Sequence, residues 1–386
     1  MYYLKLFDED LISFNMDNKL GLNITDIKIL SNNKKIFPVR LQDKINEETI
    51  EDFIKSRIIP KNRAFVHTIL ESVGLNINDK KSIIDVSKGL SLTDCYWVVQ
   101  DKTLKFANYN LFDNDFSKVL SLIAFTGYSS KIKDLITSPE FATNGMLPKA
   151  WRKINNEIYL FKGSTASYNY ANTGFEPYCE FYASQVATKM GVEHIDYNLS
   201  KWKNTLSSTC KLFTSKNISY VQIGDVVSYG GIKKVYEYVK GLGFEEKFIN
   251  MILFDAICIN IDRHYGNFGL LRDNHTGAFI DFAPIFDNGE NLLSKAIPNV
   301  FDNKEEFKKY IEKNEINISY YGVSYDDLVK EFCNKTNIKT LRRLLDFKLK
   351  KHSSYNLPTN RLECLNYMIQ ERAKRFINII NEKENS

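Results

Sequence analysis

The chain has 386 residues, a formal net charge of +5, and 44% hydrophobic and 26% charged residues. That is enough for two or three lobes with a sizeable core, and the charge is too mild and too evenly mixed to argue for nucleic acid or a membrane surface. No apolar run reaches the ~20 residues that cross a bilayer, and the N-terminus lacks a basic segment followed by an apolar one, so no signal peptide is expected.

A sequence pI near 8.6 is compatible with an anionic partner such as ATP. Six cysteines, Cys95, Cys179, Cys210, Cys258, Cys333 and Cys364, are scattered without a C-x-x-C pair. That favours reduced core thiols in a cytoplasmic protein over a disulfide framework or a zinc site.

In chain order, residues 1–130 combine short extended stretches with a few helices. Asn62–Val73 carries apolar residues at helical spacing before Gly74, and Asp94–Val99 reads as a strand. This region is expected to be an accessory subdomain. Residues 131–230 begin with the turn Thr143-Asn-Gly-Met-Leu-Pro-Lys149 and the strand Glu157–Lys162. A helix follows over Glu176–Met190, ended by Gly191, and then strand-like runs at Asp196–Leu199 and Ser219–Ile223. Strand, helix and strands in that order predict a small α+β lobe. Residues 231–386 are mainly helical, with the densest 3.6-residue stripe over Phe244–Cys258 and a further helix over Pro358–Asn381. A sheet lobe and a helical lobe with a cleft between them is the expected architecture.

The chemistry concentrates at Asn260-Ile-Asp-Arg-His-Tyr-Gly-Asn267. Phosphoryl transfer needs a carboxylate to orient the attacking hydroxyl, metal ions on the phosphate oxygens and a cation over them. Mg²⁺ prefers oxygen ligands such as Asp carboxylate and Asn carbonyl. Asp262 and Asn267, five apart in one irregular loop after an apolar helix, suit that need. A second carboxylate has two candidates. Asp281-Phe-Ala lies 14 residues after Asn267 in a strand-like run; Asp287-Asn-Gly lies 20 after it at a turn, where Asn288-Gly289 can take special backbone angles. The residues alone leave both open.

Asn260-x-Asp-Arg-His-x-x-Asn-Phe-Gly followed by Ala283-Pro-Ile-Phe-Asp-Asn-Gly resembles the C-terminal core of the HipA-like serine/threonine kinases. Gly145-Met-Leu-Pro-Lys149, the strand-ending Lys162 and Glu180 also match that family's pattern, over about 138 to the C-terminal helix. The resemblance implies an α+β, bilobal protein-kinase-like fold with an N-terminal accessory subdomain. It implies Asp262 as catalytic base, Asn267 and Asp287 as Mg²⁺ ligands and Lys162 as the ATP-phosphate lysine. Glu180, or Glu176 one turn earlier, would position Lys162, and the loop from Thr143 through Gly145 to Lys149 would cover the phosphates. Family members often autophosphorylate a serine in that loop; Ser138 and Thr143 are the candidates here. A protein substrate such as a translation factor and a helix-turn-helix antitoxin are implied as partners, with DNA reached only through the latter. A lipid or small-molecule kinase, or a pseudokinase, are the rival readings.

Plainer roles stand beside these. Asp262 could merely be salt-bridged beside Arg263, and Lys162 alone reads as a solvated strand end. His264 reads as loop support, and Trp97, Trp151 and Trp202 as packing residues.

Overall fold

The structure, a computed structural model, describes every residue except 19, 20, 134, 136, 166–173 and 386. Its strands are β1 (Tyr2–Leu6), β2 (Glu9–Asp17), β3 (Asn23–Ile29), β4 (Tyr96–Val99), β5 (Lys149–Ile154), β6 (Glu157–Lys162), β7 (Asn198–Trp202), β8 (Thr205–Lys211), β9 (Ile218–Gln222), β10 (Gly269–Asp273) and β11 (Phe279–Phe282). The helices are α1 (Glu47–Ser56), α2 (Val66–Glu71), α3 (Lys80–Ser87), α4 (Lys118–Thr126), α5 (Glu176–Met190), α6 (Gly231–Gly241), α7 (Glu245–Cys258), α8 (Lys304–Ile311), α9 (Tyr325–Phe332), α10 (Lys335–Arg342) and α11 (Thr359–Asn385).

Packing divides the chain into two compact units. The first takes Met1–Lys162, Lys211–Val221 and Leu270–Asp281, and the second takes Gly163–Cys210, Gln222–Gly269 and Phe282–Ser386. The second unit thus draws on both chain regions that the sequence assigns to kinase lobes.

In the first unit, β3-β2-β1-β4 form an antiparallel sheet. Its inner face closes over Leu4, Phe14, Phe37 and Trp97, all essentially buried. β1 and β4 are buried nearly throughout, so they lack the apolar–polar alternation that marks a one-sided strand. α2 is shorter than the helix expected over Asn62–Val73, because Phe65 takes left-handed angles (φ +60°) and turns residues 62–65 out of the helix. β5 and β6 form a hairpin through Asn155 and Asn156, both at positive φ. Two left-handed residues in a two-residue loop match the right-handed twist of the strands, and asparagine tolerates that conformation better than most side chains.

In the second unit, α7 is the central helix and packs against α5, α6, α9 and α11. Phe248, Ile249 and every residue from Met251 to Cys258 are buried. α5 ends where glycine permits a left-handed turn: Gly191 has φ +74°, and a Cβ there would lie 2.1 Å from Arg343 Nη1. β7 and β8 make a second hairpin through Lys203 and Asn204, also both at positive φ.

Candidate functional site

The candidate loop begins where α7 stops. Ile259 adopts φ +54°, and the Asn260 N–H bonds back to the Asp255 carbonyl at 3.0 Å, which closes the helix in a Schellman-type turn. A β-branched residue in the left-handed region is costly, of order 1–2 kcal/mol. The buried position of its side chain holds it there.

Within α7 one polar residue interrupts the apolar run: Asp255, 4% exposed. It exists to meet Arg263, which is 1% exposed. Arg263 Nε and Nη2 each donate to the Asp255 carboxylate at 2.9 Å in a bidentate pair. The remaining donors reach outward. Nη1 donates to the Asn267 carbonyl at 2.9 Å and the Phe286 carbonyl at 2.6 Å, and Nη2 to Asn288 Oδ1 at 2.8 Å. One guanidinium therefore ties the core helix, the loop 260–267 and the segment 286–288 together. Burial pushes the Asp255 carboxyl up, and Arg263 opposes that shift. Burial also works against the Arg263 charge, but Asp255 more than offsets it and the guanidinium is held firmly protonated.

The rest of the loop is pinned just as closely. Asn260 Nδ2 donates to Asp255 Oδ1 at 2.9 Å, its Oδ1 accepts from the Asp262 N–H at 3.0 Å, and Tyr325 donates to its carbonyl at 2.6 Å. Asn267 Nδ2 donates to the Asp262 carbonyl at 2.9 Å. That commits the amide nitrogen and leaves the carbonyl oxygen as the end able to meet a hard cation. His264 Nδ1 accepts from the Gly266 N–H at 3.0 Å and its ring packs on Tyr320, so it braces the turn.

Asp287 has φ +54° itself, whereas the sequence placed the special angles on Asn288-Gly289. Its N–H donates to Tyr197 Oη at 3.1 Å, and the next N–H, of Asn288, donates to Glu180 Oε2 at 2.9 Å. Burial drives the Tyr197 phenol well above 10. Glu180, fully buried on α5, thus reaches the 286–288 segment. Glu176 does something different: at the first turn of α5 it accepts from Thr165 Oγ1 and from the Gly174 N–H at 3.1 Å. Asp281 lies in β11 within the first unit, while Asp262, Asn267 and Asp287 share the second.

The candidate phosphate-covering residues lie in the first unit. Lys149 and Lys162 are register partners across the β5–β6 hairpin and are 6% and 7% exposed, so two buried lysines share one hairpin face. Lys149 Nζ donates to the Asn144 carbonyl at 2.8 Å, folding over Gly145, which has φ +90°. A Cβ at Gly145 would lie 2.3 Å from that ammonium. Ser138 is buried, with its hydroxyl accepting from the Glu140 N–H at 3.3 Å; Thr143 donates to the Pro139 carbonyl at 2.7 Å. Among the described residues no three His, Cys, Asp or Glu side chains converge as a metal cage. A Mg²⁺ site built on phosphates needs only one or two protein oxygens.

Sequence reasoning passed over Asp255, Tyr197 and Tyr325, and it named Asn260 and Asn288 only as parts of the loop motif and of a turn. Asp255 had a signal: a lone carboxylate inside the most apolar helix. The sequence reads Arg263 as a partner for Asp262; in the structure its guanidinium forks on Asp255.

A scan against models of known protein families finds no match. The chain is 22% identical over 267 residues to the serine/threonine-protein kinase CtkA of Helicobacter pylori, covering 59% of this chain and 80% of that protein. The crystal structure of a Helicobacter pylori proinflammatory kinase CtkA matches with a TM-score of 0.52 at 20% identity, over 64% of this chain and 95% of that one. HipA of Shewanella oneidensis MR-1, from a complex with HipB and operator DNA, matches with a TM-score of 0.57 at 11% identity over 100% of both chains. At these identities the likeness shows the fold. The chain is α+β with the fold of the HipA and CtkA kinases, as the sequence motifs led us to expect, and the HipA match takes in residues 1–130 as well.

Proposed function

We propose that the chain is an ATP- and Mg²⁺-dependent kinase that phosphorylates Ser or Thr hydroxyls of a protein. The observation that supports this reading is the Arg263 fork, which ties the Asn267 carbonyl to Phe286 and Asn288, the two neighbours of Asp287, through one buried guanidinium. The named kinase CtkA among the relatives supports it.

Asp262 is the proposed base, accepting the proton of the substrate hydroxyl as that oxygen attacks. Asn267 Oδ1 and the Asp287 carboxylate are the proposed Mg²⁺ ligands; hard oxygen donors fit that ion, and the amide nitrogen of Asn267 is already engaged. When bound, Mg²⁺ neutralises charge on the phosphate oxygens and orients them. Lys162 is the proposed phosphate cation. Gly145 and Lys149 belong to the loop proposed to cover the phosphates, and Glu180 is the proposed positioning partner of Lys162.

The resemblance to toxin–antitoxin kinases extends the proposal to a translation-factor substrate, a helix-turn-helix antitoxin partner and a cytoplasmic location. Among the described residues no helix is long and apolar enough to cross a membrane. The decisive experiment incubates the purified protein with Mg²⁺, γ-labelled ATP and cell lysate. Label should enter this chain or a lysate protein, and Asp262→Ala should reduce it by about 10²–10⁴-fold with the fold intact by circular dichroism. Label in lipid alone, or ATP binding without transfer, would sink the proposal.

A further inference from the structure

Among the buried arginines of the first unit, Arg63 is one that the kinase reading does not use. Arg63 is 2% exposed, and it sits in the turn that cuts α2 short. Its guanidinium donates to four acceptors in the segment 140–149. Nη1 reaches the Glu140 carbonyl at 2.8 Å and the Thr143 carbonyl at 3.2 Å; Nη2 reaches the Lys149 carbonyl at 2.9 Å and the Glu140 carboxylate. The neighbouring Ala64 N–H adds a bond to the Met146 carbonyl at 2.8 Å. Glu140, itself fully buried, also accepts from the Trp151 N–H at 2.9 Å. Two consecutive residues of the N-terminal region therefore hold the loop at 140, 143, 146 and 149, both of its ends and its middle.

The turn that presents Arg63 is itself fixed. The Phe65 ring lies against Gly127, where a Cβ would come within 2.5 Å of it, so the end of α4 must be glycine for the turn to seat. Meanwhile Asn144, Gly145 and Met146 stay exposed at the loop tip. A loop held by its backbone at regular intervals, with its tip open, is a preset cradle.

We propose that Arg63 is a positioning residue: through it the N-terminal region sets the backbone of the 140–149 loop for nucleotide phosphates. This inference rests on the kinase reading. It gives the accessory region a part in the reaction instead of mere packing.

The test compares Arg63→Lys with the unmodified protein. Lysine keeps a charge for Glu140 but cannot serve three carbonyls at once from a planar fork. If the carbonyl contacts matter, kcat/KM for ATP falls about 10- to 100-fold, as expected for a misplaced binding loop, and the loss lies in KM for ATP while KM for the protein substrate holds. A variant with lowered Tm but unchanged KM for ATP overturns the inference, because a purely structural ion pair would behave that way. Hydrogen exchange on the unmodified protein, with a non-hydrolysable ATP analogue and Mg²⁺, gives a measurement independent of folding yield. The Ala64 and Trp151 amides should gain protection when the analogue binds; binding that leaves them unchanged overturns the inference alone. If no analogue binds at all, the kinase reading fails and this inference fails with it.

Discussion

Arg263 and Arg63 solve the same problem in the two units, and they differ in where the counter-charge sits. Each is a buried guanidinium that holds irregular backbone by its carbonyls. For Arg263 the carboxylate is Asp255, inside a core helix and outside the segments being held. The loop 260–267 is therefore fastened to the most buried element of its unit. For Arg63 the carboxylate is Glu140, part of the loop it holds. That loop is tied to itself and to a distant turn. The contrast suggests a fixed platform for chemistry and a cradle that depends on a remote residue, and it can be pressed experimentally.

The largest effect should come from Arg263→Met. It strands the Asp255 carboxylate in the core, a loss of about 3–5 kcal/mol for a broken buried pair, read by denaturant unfolding of the second unit. A loss below 1 kcal/mol would mean that Arg263 is not the anchor described. Next comes the choice of carboxylate. Asn tolerates the left-handed backbone of residue 287, so Asp287→Asn changes charge with little strain. We expect kcat to fall by 10²-fold or more, a barrier increase of about 2.7 kcal/mol, while Asp281→Asn stays near the unmodified rate. The reverse pattern would move the metal site to Asp281.

A smaller effect belongs to Tyr197→Phe. It removes the acceptor of the Asp287 N–H, for a loss of about 1 kcal/mol at neutral pH. The pH dependence carries a sign. Burial raises the folded-state phenol above 10, so the folded protein holds this proton more tightly than the unfolded chain. Its contribution is complete below pH 10 and is lost as pH rises through the folded value. Tyr197→Phe should therefore flatten part of the alkaline fall in stability; the remainder belongs to other tyrosines that burial raises, Tyr96, Tyr182, Tyr321 and Tyr325 among them. The smallest change expected is a gain. Asn156→Gly in the β5–β6 turn should add a few tenths of a kcal/mol and leave ATP kinetics alone.

What could be read from the sequence follows the range of the interactions. α5 was legible to its last residue because Gly191 is a local stop signal, and the loop 260–267 stood out because its motif is contiguous and its Asn260–Asp255 and Asn267–Asp262 bonds are local. Between Asp281 and Asp287 the residues alone could not choose, since the tie from 286–288 to Arg263 spans more than 20 positions. The Arg63 contacts span 77 to 86 positions and left no local trace. They also shortened the helix expected at 62–73. β8 went unread because Ser and Thr dominate it, and burial of Ser207 and Ser208 is decided by the hairpin it joins.

The six buried cysteines have a use beyond packing. Burial drives the Cys95, Cys179 and Cys333 thiols upward, so none is a ready thiolate while its surroundings stay closed. Cys95 belongs to the first unit, and Cys179, Cys210, Cys258, Cys333 and Cys364 to the second. The native chain thus carries its own opening clocks: pulsed alkylation followed by peptide mapping would time each unit separately, with no substitution introduced.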